Sequence, residues 1–430
     1  MSDNPDIQYI SVDELRVGMY VYIDLPWMEH NFARNSFMIK SADQIAEIRK
    51  LSFERIRIDP TLSEPQSLPS AKLAQDDATQ AASSKPKISA ETAAEIEKAN
   101  AERARAERRG AAMAQCKKQF TKAAGTLKTI SQNIFSRPKQ AGEDAGNLVS
   151  DLMTSLLSDK NVALHVISTH PMAEEIYQHS LNVAVLAMLL AKELNWTPED
   201  IKLLGIGCLF HDIGKVEVAD WLVKKSGPLT RSEQKTLQLH CEHGEALARK
   251  IGLAPKAIDL VVQHHECFDG SGYPMHLDGK RISQFARIAA VVNAYDNHCN
   301  RLNPGDSLSP YEALSTMFVR EGHLFDPAVL GVFIRCMGVY PPGTIVRLSD
   351  ERIGIVISIN TGKPLRPCVL IHDPSISKNE AVVIDLLHET ELNISASLKR
   401  SQLSQQASDY LNLRKHISYF IHAEDEVQKA

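Results

Sequence analysis

Disulfide and thiolate chemistry have little to work with in this chain. Its 430 residues hold seven cysteines (116, 208, 241, 267, 299, 336 and 368), odd in number and never in CxxC spacing. That excludes a disulfide framework and argues against a structural zinc-thiolate site. Long hydrophobic runs are missing too: the best apolar stretch, Leu181 to Ala191, is too short to span a bilayer. The opening residues Met1-Ser2-Asp3-Asn4-Pro5-Asp6 lack the basic-then-apolar pattern of a secretory leader. The expectation is a cytoplasmic protein without a membrane anchor. There is no excess of positive charge, the formal net charge being −5. The basic residues from Lys117 to Lys128 read as a solvated helix face, so nucleic acid is not an expected partner. No fixed-period internal repeat is present.

What is there divides by composition. With 43% hydrophobic and 23% charged residues, the chain has the length and apolar content for more than one buried core. Over residues 1–59, Val17, Met19, Val21 and Ile23 alternate, as do Ile56 and Ile58, with Phe37 to Lys40 between them. Period two predicts a small strand-rich module. Residues 60–92 are rich in Ser, Pro, Ala and Gln and predict a flexible linker, because so few large apolar groups cannot repay the entropy of ordering. Residues 93–170 predict a helical connector. From Glu91 to Lys128 strong helix formers dominate, suiting an exposed signalling or dimerisation helix, or a plain surface one. Between Leu148 and Val166, the sets Leu148, Leu152, Leu156 and Val149, Met153, Leu157 repeat at helical spacing.

Residues 171–340 read as helix in almost every segment and predict an all-α core. Beyond Pro341-Pro342-Gly343 the period falls to two, in Ile345, Val346 and Leu348, Ile353 to Ile359, Cys368 to Ile371 and Val382 to Leu386. Residues 341–395 are therefore expected to form a small β appendage, with 396–430 a C-terminal tail. The predicted fold class is multidomain: an all-α core with a small strand-rich N-terminal module and a small β C-terminal appendage.

The helical core carries the chemistry. Glu175 and His179 stand four apart and share one helix face, with Asn182 further along it. His211 and Asp212 are adjacent after an apolar run, and adjacent side chains on a helix diverge by about 100°. Both reach one cation only at a helix end or bend, and Gly214 supplies the freedom for one. His240, His264, His265 and Asp296 add three imidazoles and a carboxylate. Several histidines and carboxylates without thiolate suit Fe, Mn or Zn at more than one centre. At His211-Asp212 and His264-His265 the polar groups follow apolar segments, where burial without partners is costly and coordination would remove the cost. His243, three after His240, and His276, just past the next loop, are served equally well by solvent.

The run His264-His265-Glu266-Cys267-Phe268-Asp269-Gly270-Ser271-Gly272-Tyr273-Pro274, with Phe210-His211-Asp212-Ile213-Gly214-Lys215 upstream, resembles the HD-GYP class of bacterial cyclic di-GMP phosphodiesterases, a branch of the HD hydrolase superfamily. It matches HHExxDGxGYP at every defined position. The resemblance covers about residues 171–340, and residues 8–59 resemble the small module often joined to such domains. It implies that His179, His211, Asp212 and Asp296 hold one metal and that Asp212 bridges to a second held by His240, His264 and His265. It further implies that Glu175 supports a third metal in some members. Two or three divalent ions are implied, Fe or Mn, with Zn or Ni as alternatives. Lys215 then meets substrate phosphate, Asp212 and Lys215 are the catalytic pair, and Asp269, Gly270, Gly272, Tyr273 and Pro274 shape the substrate site. Tyr273 is equally served by packing the loop.

The activity implied is metal-dependent hydrolysis of cyclic di-GMP to pGpG and onward to GMP. Such cations depress the pKa of water and neutralise phosphodiester charge, and Lys215 as a point charge would stabilise the transition state. Signalling proteins are implied partners, through the GYP loop or the N-terminal module, and a homodimer stays open. The chain departs from the family after the last ligand: where DALTSxRPY is usual, it reads Asp296-Asn297-His298-Cys299-Asn300-Arg301, leaving Arg301 as the substrate contact there. Cys241 stands where a proline is usual. Two alternatives are a catalytically weak cyclic di-GMP receptor or protein-interaction module, and an HD phosphohydrolase for another nucleotide.

Overall fold

The computed structural model describes residues 8–23, 36–49, 51, 55–60, 62–63, 114–115, 118–157, 162–167, 175–360, 363, 365–376, 381–411 and 417–423. The chain forms two compact units, Met1–Ala93 and Ala94–Ala430. From residue 64 onward, the expected 60–92 linker lies outside the described residues.

The first unit is an antiparallel sheet of β1 (Gln8–Ser11), β2 (Tyr20–Tyr22), β3 (Ser36–Met38) and β4 (Arg55–Asp59) in the order β1-β4-β2-β3. A helix, α1 (Ala42–Arg49), was not legible in the alternation. Met19, Val21 and Ile23, and Ile56 and Ile58, face its core as period two requires, and Ile39 and Ile48 pack with them. Val17, expected to alternate inward with them, is 47% exposed. The chain turns at Gly18, whose φ of 92° belongs to glycine, so Val17 precedes the strand.

In the second unit, residues 118–133 form a helix, α2. Phe120, Ala123, Leu127 and Ile130 on it are buried in the main core, so this part of the connector is not the exposed helix expected. α3 (Pro138–Leu157) follows as the Leu148 to Leu157 spacing predicts. Helix does not continue to Val166. Val162–Ile167 is instead a strand, β5.

The core helices are α4 (Glu175–Glu193), α5 (Pro198–Phe210), α6 (Asp220–Val223), α7 (Arg231–Gln238), α8 (His240–Ile251), α9 (Pro255–Gln263), α10 (Gln284–Cys299), α11 (Pro310–Val319) and α12 (Pro327–Met337). Their starts follow capping rules. Thr197, Thr230, Ser283, Ser309 and Asp326 each accept a backbone N–H in the first turn, and proline stands at the start of α5, α11 and α12. From Leu181 to Ala191 every residue of α4 is buried, Asn182 included, making it the central helix.

The C-terminal strands are β6 (Ile345–Leu348), β7 (Ile353–Asn360), β8 (Cys368–Ile371), β9 (Val383–Asp385), β10 (Ile394–Leu398) and β11 (Ser418–Ala423). With β5 they form one sheet, along the path β10-β6-β7-β5-β11, with β8 pairing β7 and β9 pairing β8. The sheet therefore draws on the expected connector and the expected tail as well as the expected appendage. A short helix, α13 (Gln405–Tyr410), also lies in the span expected to be tail. β11 pairs antiparallel with β5 from Ser418↔Ile167 to Ala423↔Val162, and Tyr419 is fully buried in the main core. Among the described residues no helix is long and apolar enough to cross a membrane.

Candidate metal centre

Three helix ends, of α5, α8 and α9, and two helix interiors, of α4 and α10, build the centre. α5 runs to Phe210, leaving His211 at its end, still helical at φ −55° and ψ −37°. Asp212 then turns to φ −98°, ψ 8°, in the sparsely populated bridge region. Ile213–Glu217 continues as a tight 3-10 turn. That break aims two adjacent side chains at one place. Gly214 serves close packing rather than flexibility: a Cβ there would lie 1.9 Å from the carbonyl oxygen of His240 and 2.4 Å from the amide of Gly244. The absent side chain lets the turn lie on α8 and brings His240 to Asp212. His264 and His265 follow α9, their rings 4.1 Å apart, while His179 comes from α4 and Asp296 from α10.

The imidazoles are oriented from behind. His211, His240 and His264 each donate an Nδ1–H to the carbonyl three residues earlier, of Cys208 at 2.7 Å, Leu237 at 2.7 Å and Val261 at 2.8 Å. Carbonyls only accept, so each Nδ1 carries the proton and each Nε2 presents a lone pair. His179 is fixed likewise, its Nδ1 donating to Asp296 Oδ2 at 2.7 Å. The lone pairs then face one another: His179 Nε2 lies 3.2 Å from His211 Nε2, and His240 Nε2 lies 3.4 Å from His264 Nε2.

Asp212 stands between these pairs. Its Oδ2 is 3.4 Å from His211 Nε2 and 3.7 Å from His179 Nε2, and its Oδ1 is 3.5 Å from His240 Nε2 and 3.6 Å from His264 Nε2. Oδ1 is buried and accepts no hydrogen bond. Opposed lone pairs around an unsatisfied buried carboxylate oxygen repel unless a cation lies among them. The spacing suits one, since bonds of about 2.0–2.1 Å put neighbouring ligand atoms roughly 3–3.5 Å apart. The donors form two groups that share Asp212: Asp212 with His240, His264 and His265, and Asp212 with His179 and His211. The set fits divalent metal ions.

Electrostatics agree. Burial by itself would raise the Asp212 carboxyl, but the Lys215 ammonium beside it holds it well below the usual range. Lys215 Nζ donates to Asp212 Oδ2 at 2.5 Å. Burial pushes His264 down to about 4 and lowers His240 and His265 as well, so these rings are neutral and ready to ligate.

The GYP loop closes one side. The Tyr273 ring stacks on His265 at 4.6 Å, and the Tyr273–Pro274 peptide is cis. A Cβ on Gly272 would meet Cys267 N at 2.2 Å, so only glycine lets the loop fold back on the His264-His265 turn. Gly270 has a φ of 81° and Asp269 accepts from Ser271 N and Oγ. Glu266, 2% exposed, accepts the amides of Met275 at 2.6 Å and Leu277 at 2.9 Å and so pins the loop. Nothing in the motif reveals that role, because its partners lie nine and eleven residues further on.

Not every expected residue joins the two groups. Asp296 faces His179, and its Oδ1 accepts from Asn182 at 2.8 Å and Asn300 at 2.9 Å. Arg301 is exposed, its Nη2 3.2 Å from His298 Nδ1. Glu175 opens α4, but its side chain lies outside the described residues. Cys241 is buried with Sγ 3.7 Å from His240 Nε2, and burial pushes its thiol up to about 12.

A helical core holding histidine-aspartate donors around a shared carboxylate defines a metal-dependent hydrolase of the HD class. The comparisons agree. Residues 151–329 match the HD domain, residues 7–145 a domain of unknown function (DUF3391), and residues 345–406 a KOW domain associated with HD domain. The DUF3391 match runs past the division at Ala93 and takes in the start of α3, whose Ala141 and Ala145 are buried in the main core. A cyclic di-GMP phosphodiesterase of Pseudomonas aeruginosa is 30% identical over 86% of this chain and 86% of its own. A cyclic di-GMP phosphodiesterase response regulator of Xanthomonas campestris pv. campestris is 30% identical over 35% of this chain and 40% of its own. A 3'3'-cGAMP-specific phosphodiesterase of Vibrio cholerae is 33% identical over 27% of this chain and 26% of its own. The chain belongs to the family of HD-domain cyclic di-GMP phosphodiesterases.

Proposed function

We propose that this chain hydrolyses cyclic di-GMP to linear pGpG and onward to GMP, as the off-switch of a bacterial second-messenger signal. The observation that carries the reading is Asp212, with each carboxylate oxygen facing a pair of imidazole lone pairs. One ion would be held by His179, His211 and Asp212 Oδ2, with Asp296 behind His179. A second would be held by His240, His264, His265 and Asp212 Oδ1. Glu175, which opens α4, would support a third. Such ions, Fe or Mn with Zn or Ni as alternatives, supply a lowered pKa for water and neutralise phosphodiester charge.

The protein's own groups do the rest. The backbone carbonyls behind His211, His240 and His264 keep the Nε2 atoms deprotonated and aimed. Lys215, part-exposed and paired with Asp212, would exchange its carboxylate partner for a phosphate oxygen and stabilise charge that grows in the transition state. The loop Asp269 to Pro274 walls the site through Tyr273, and Arg301 at the end of α10 meets the far phosphate or base. Met275, exposed on the loop's rim, offers signalling proteins an apolar contact.

A second substrate has a specific observation behind it, the similarity to 3'3'-cGAMP-specific phosphodiesterases. The test is turnover of cyclic di-GMP and 3'3'-cGAMP by protein loaded anaerobically with Fe(II) or Mn(II), compared as kcat/KM. Preference for cyclic di-GMP supports the reading; preference for 3'3'-cGAMP replaces the substrate, and binding without turnover makes the chain a receptor.

A further inference from the structure

The C-terminal strand reaches the back of the metal centre through two asparagines. Asn182 on α4 and Asn300 at the end of α10 lie either side of Asp296. The Asn182 Nδ2 donates to Asp296 Oδ1 at 2.8 Å and to the carbonyl of Ile417 at 2.9 Å. The Asn300 Nδ2 donates to the same two acceptors, each at 2.9 Å. Each side-chain carbonyl accepts in turn from the strand: Asn300 Oδ1 from Ile417 N at 2.7 Å, and Asn182 Oδ1 from Tyr419 N at 3.1 Å. Both amides thus spend two donors and an acceptor, leaving neither free to rotate. Asp296 and Tyr419 are 0% and Asn182 1% exposed, while Asn300 and Ile417 are half-buried. On its other edge β11 is paired throughout with β5.

We propose that the backbone of Ile417 to Tyr419 is a positioning element of the centre. Through Asn182 and Asn300 it fixes Asp296 Oδ1, which leaves Oδ2 on His179 Nδ1 and sets the direction of the His179 Nε2 lone pair. The departure after Asp296, where Asn300 stands one turn beyond the carboxylate, is then the docking surface for a strand more than a hundred residues away in sequence. The clamp touches only one half of the centre. His240 and His264 are oriented by the carbonyls of Leu237 on α7 and Val261 on α9, and His265 by the GYP loop, so among the described residues none of these contacts is with β11. The inference rests on the metal reading of the site.

The test is Mn(II) binding to the full-length protein, read as free Mn(II) by electron paramagnetic resonance, with thermal unfolding alongside. Asn300→Leu removes one arm of the clamp, and Ile417→Pro removes a strand N–H without changing any side chain at the centre. Leu348→Ala, a cavity variant in β6, controls for lost stability alone. In both clamp variants one equivalent is expected to bind as in wild type and another about 10–100-fold more weakly, the usual effect of removing a group that orients a metal ligand. Leu348→Ala should bind all equivalents as wild type does. Unchanged binding in the folded clamp variants, or equal weakening of every equivalent, overturns the proposal. If wild-type protein takes up no Mn(II), the metal reading itself has failed, and the clamp's role falls with it.

Discussion

At the scale of single residues, the centre depends on which nitrogen of each histidine carries the proton. His211, His240 and His264 have that settled by a carbonyl one turn back, so the site presents lone pairs before any ion arrives. Asp212 is the shared atom pair, and Asp212→Ala is expected to abolish turnover and reduce bound metal, checked by metal analysis of the purified variant. Lys215→Ala should leave metal content unchanged and lower kcat by about 10²–10³, the range for one group that stabilises transition-state charge. Acidity offers another check. Burial holds His264 near 4 in the folded chain against 6.5 for a free imidazole, and lowers His240 and His265 as well. Between those values the unfolded chain binds more protons than the folded one, so stability is lost as pH falls. Metal-stripped protein is expected to melt at a lower temperature at pH 5 than at pH 7. An unchanged or higher melting temperature at pH 5 would show these rings are not buried neutral.

At the scale of elements, glycine and glutamate positions hold the ligand-bearing segments together. Gly214→Ala would drive a Cβ into the His240 carbonyl, and the overpacking should cost about 1–3 kcal/mol in denaturant unfolding, with activity lost through His240. Glu266→Ala would leave the amides of Met275 and Leu277 without their acceptor, loosening the loop, and should raise KM while metal stays bound. Much of this was legible in the chain. The histidines and carboxylates stand at spacings that point to helix faces and ends, and the long apolar run of α4 marks the central helix. β5 and β11 were not legible as a pair, because a six-residue stretch that is apolar but for His165, Val162 to Ile167, fits a strand or a buried helix equally well and the strand's partner lies about 250 residues downstream. Asn182 was visible on the His179 face of its helix and Asn300 shortly after Asp296, but their meeting and their backbone partners in Ile417 and Tyr419 follow only from tertiary structure.

At the scale of the whole molecule, every donor in the two groups comes from the unit Ala94–Ala430, while Met1–Ala93 holds a core of its own. Bound metal should therefore stabilise the larger unit by about 2.7 kcal/mol at a hundredfold excess over Kd. In calorimetry, chelation is expected to lower the transition of that unit and leave the transition of the smaller one where it was. The sheet that the connector, appendage and tail strands complete is part of the same unit as the centre, so the C-terminal strand is structural equipment of the enzyme.

The measurement that bears most directly on the central claim is cyclic di-GMP turnover by anaerobically purified, Fe(II)- or Mn(II)-loaded protein, read by nucleotide chromatography beside Asp212→Ala. The account predicts pGpG or GMP from the wild type and none from the variant. Intact cyclic di-GMP with the metal-loaded wild type, or equal turnover by Asp212→Ala, would contradict it.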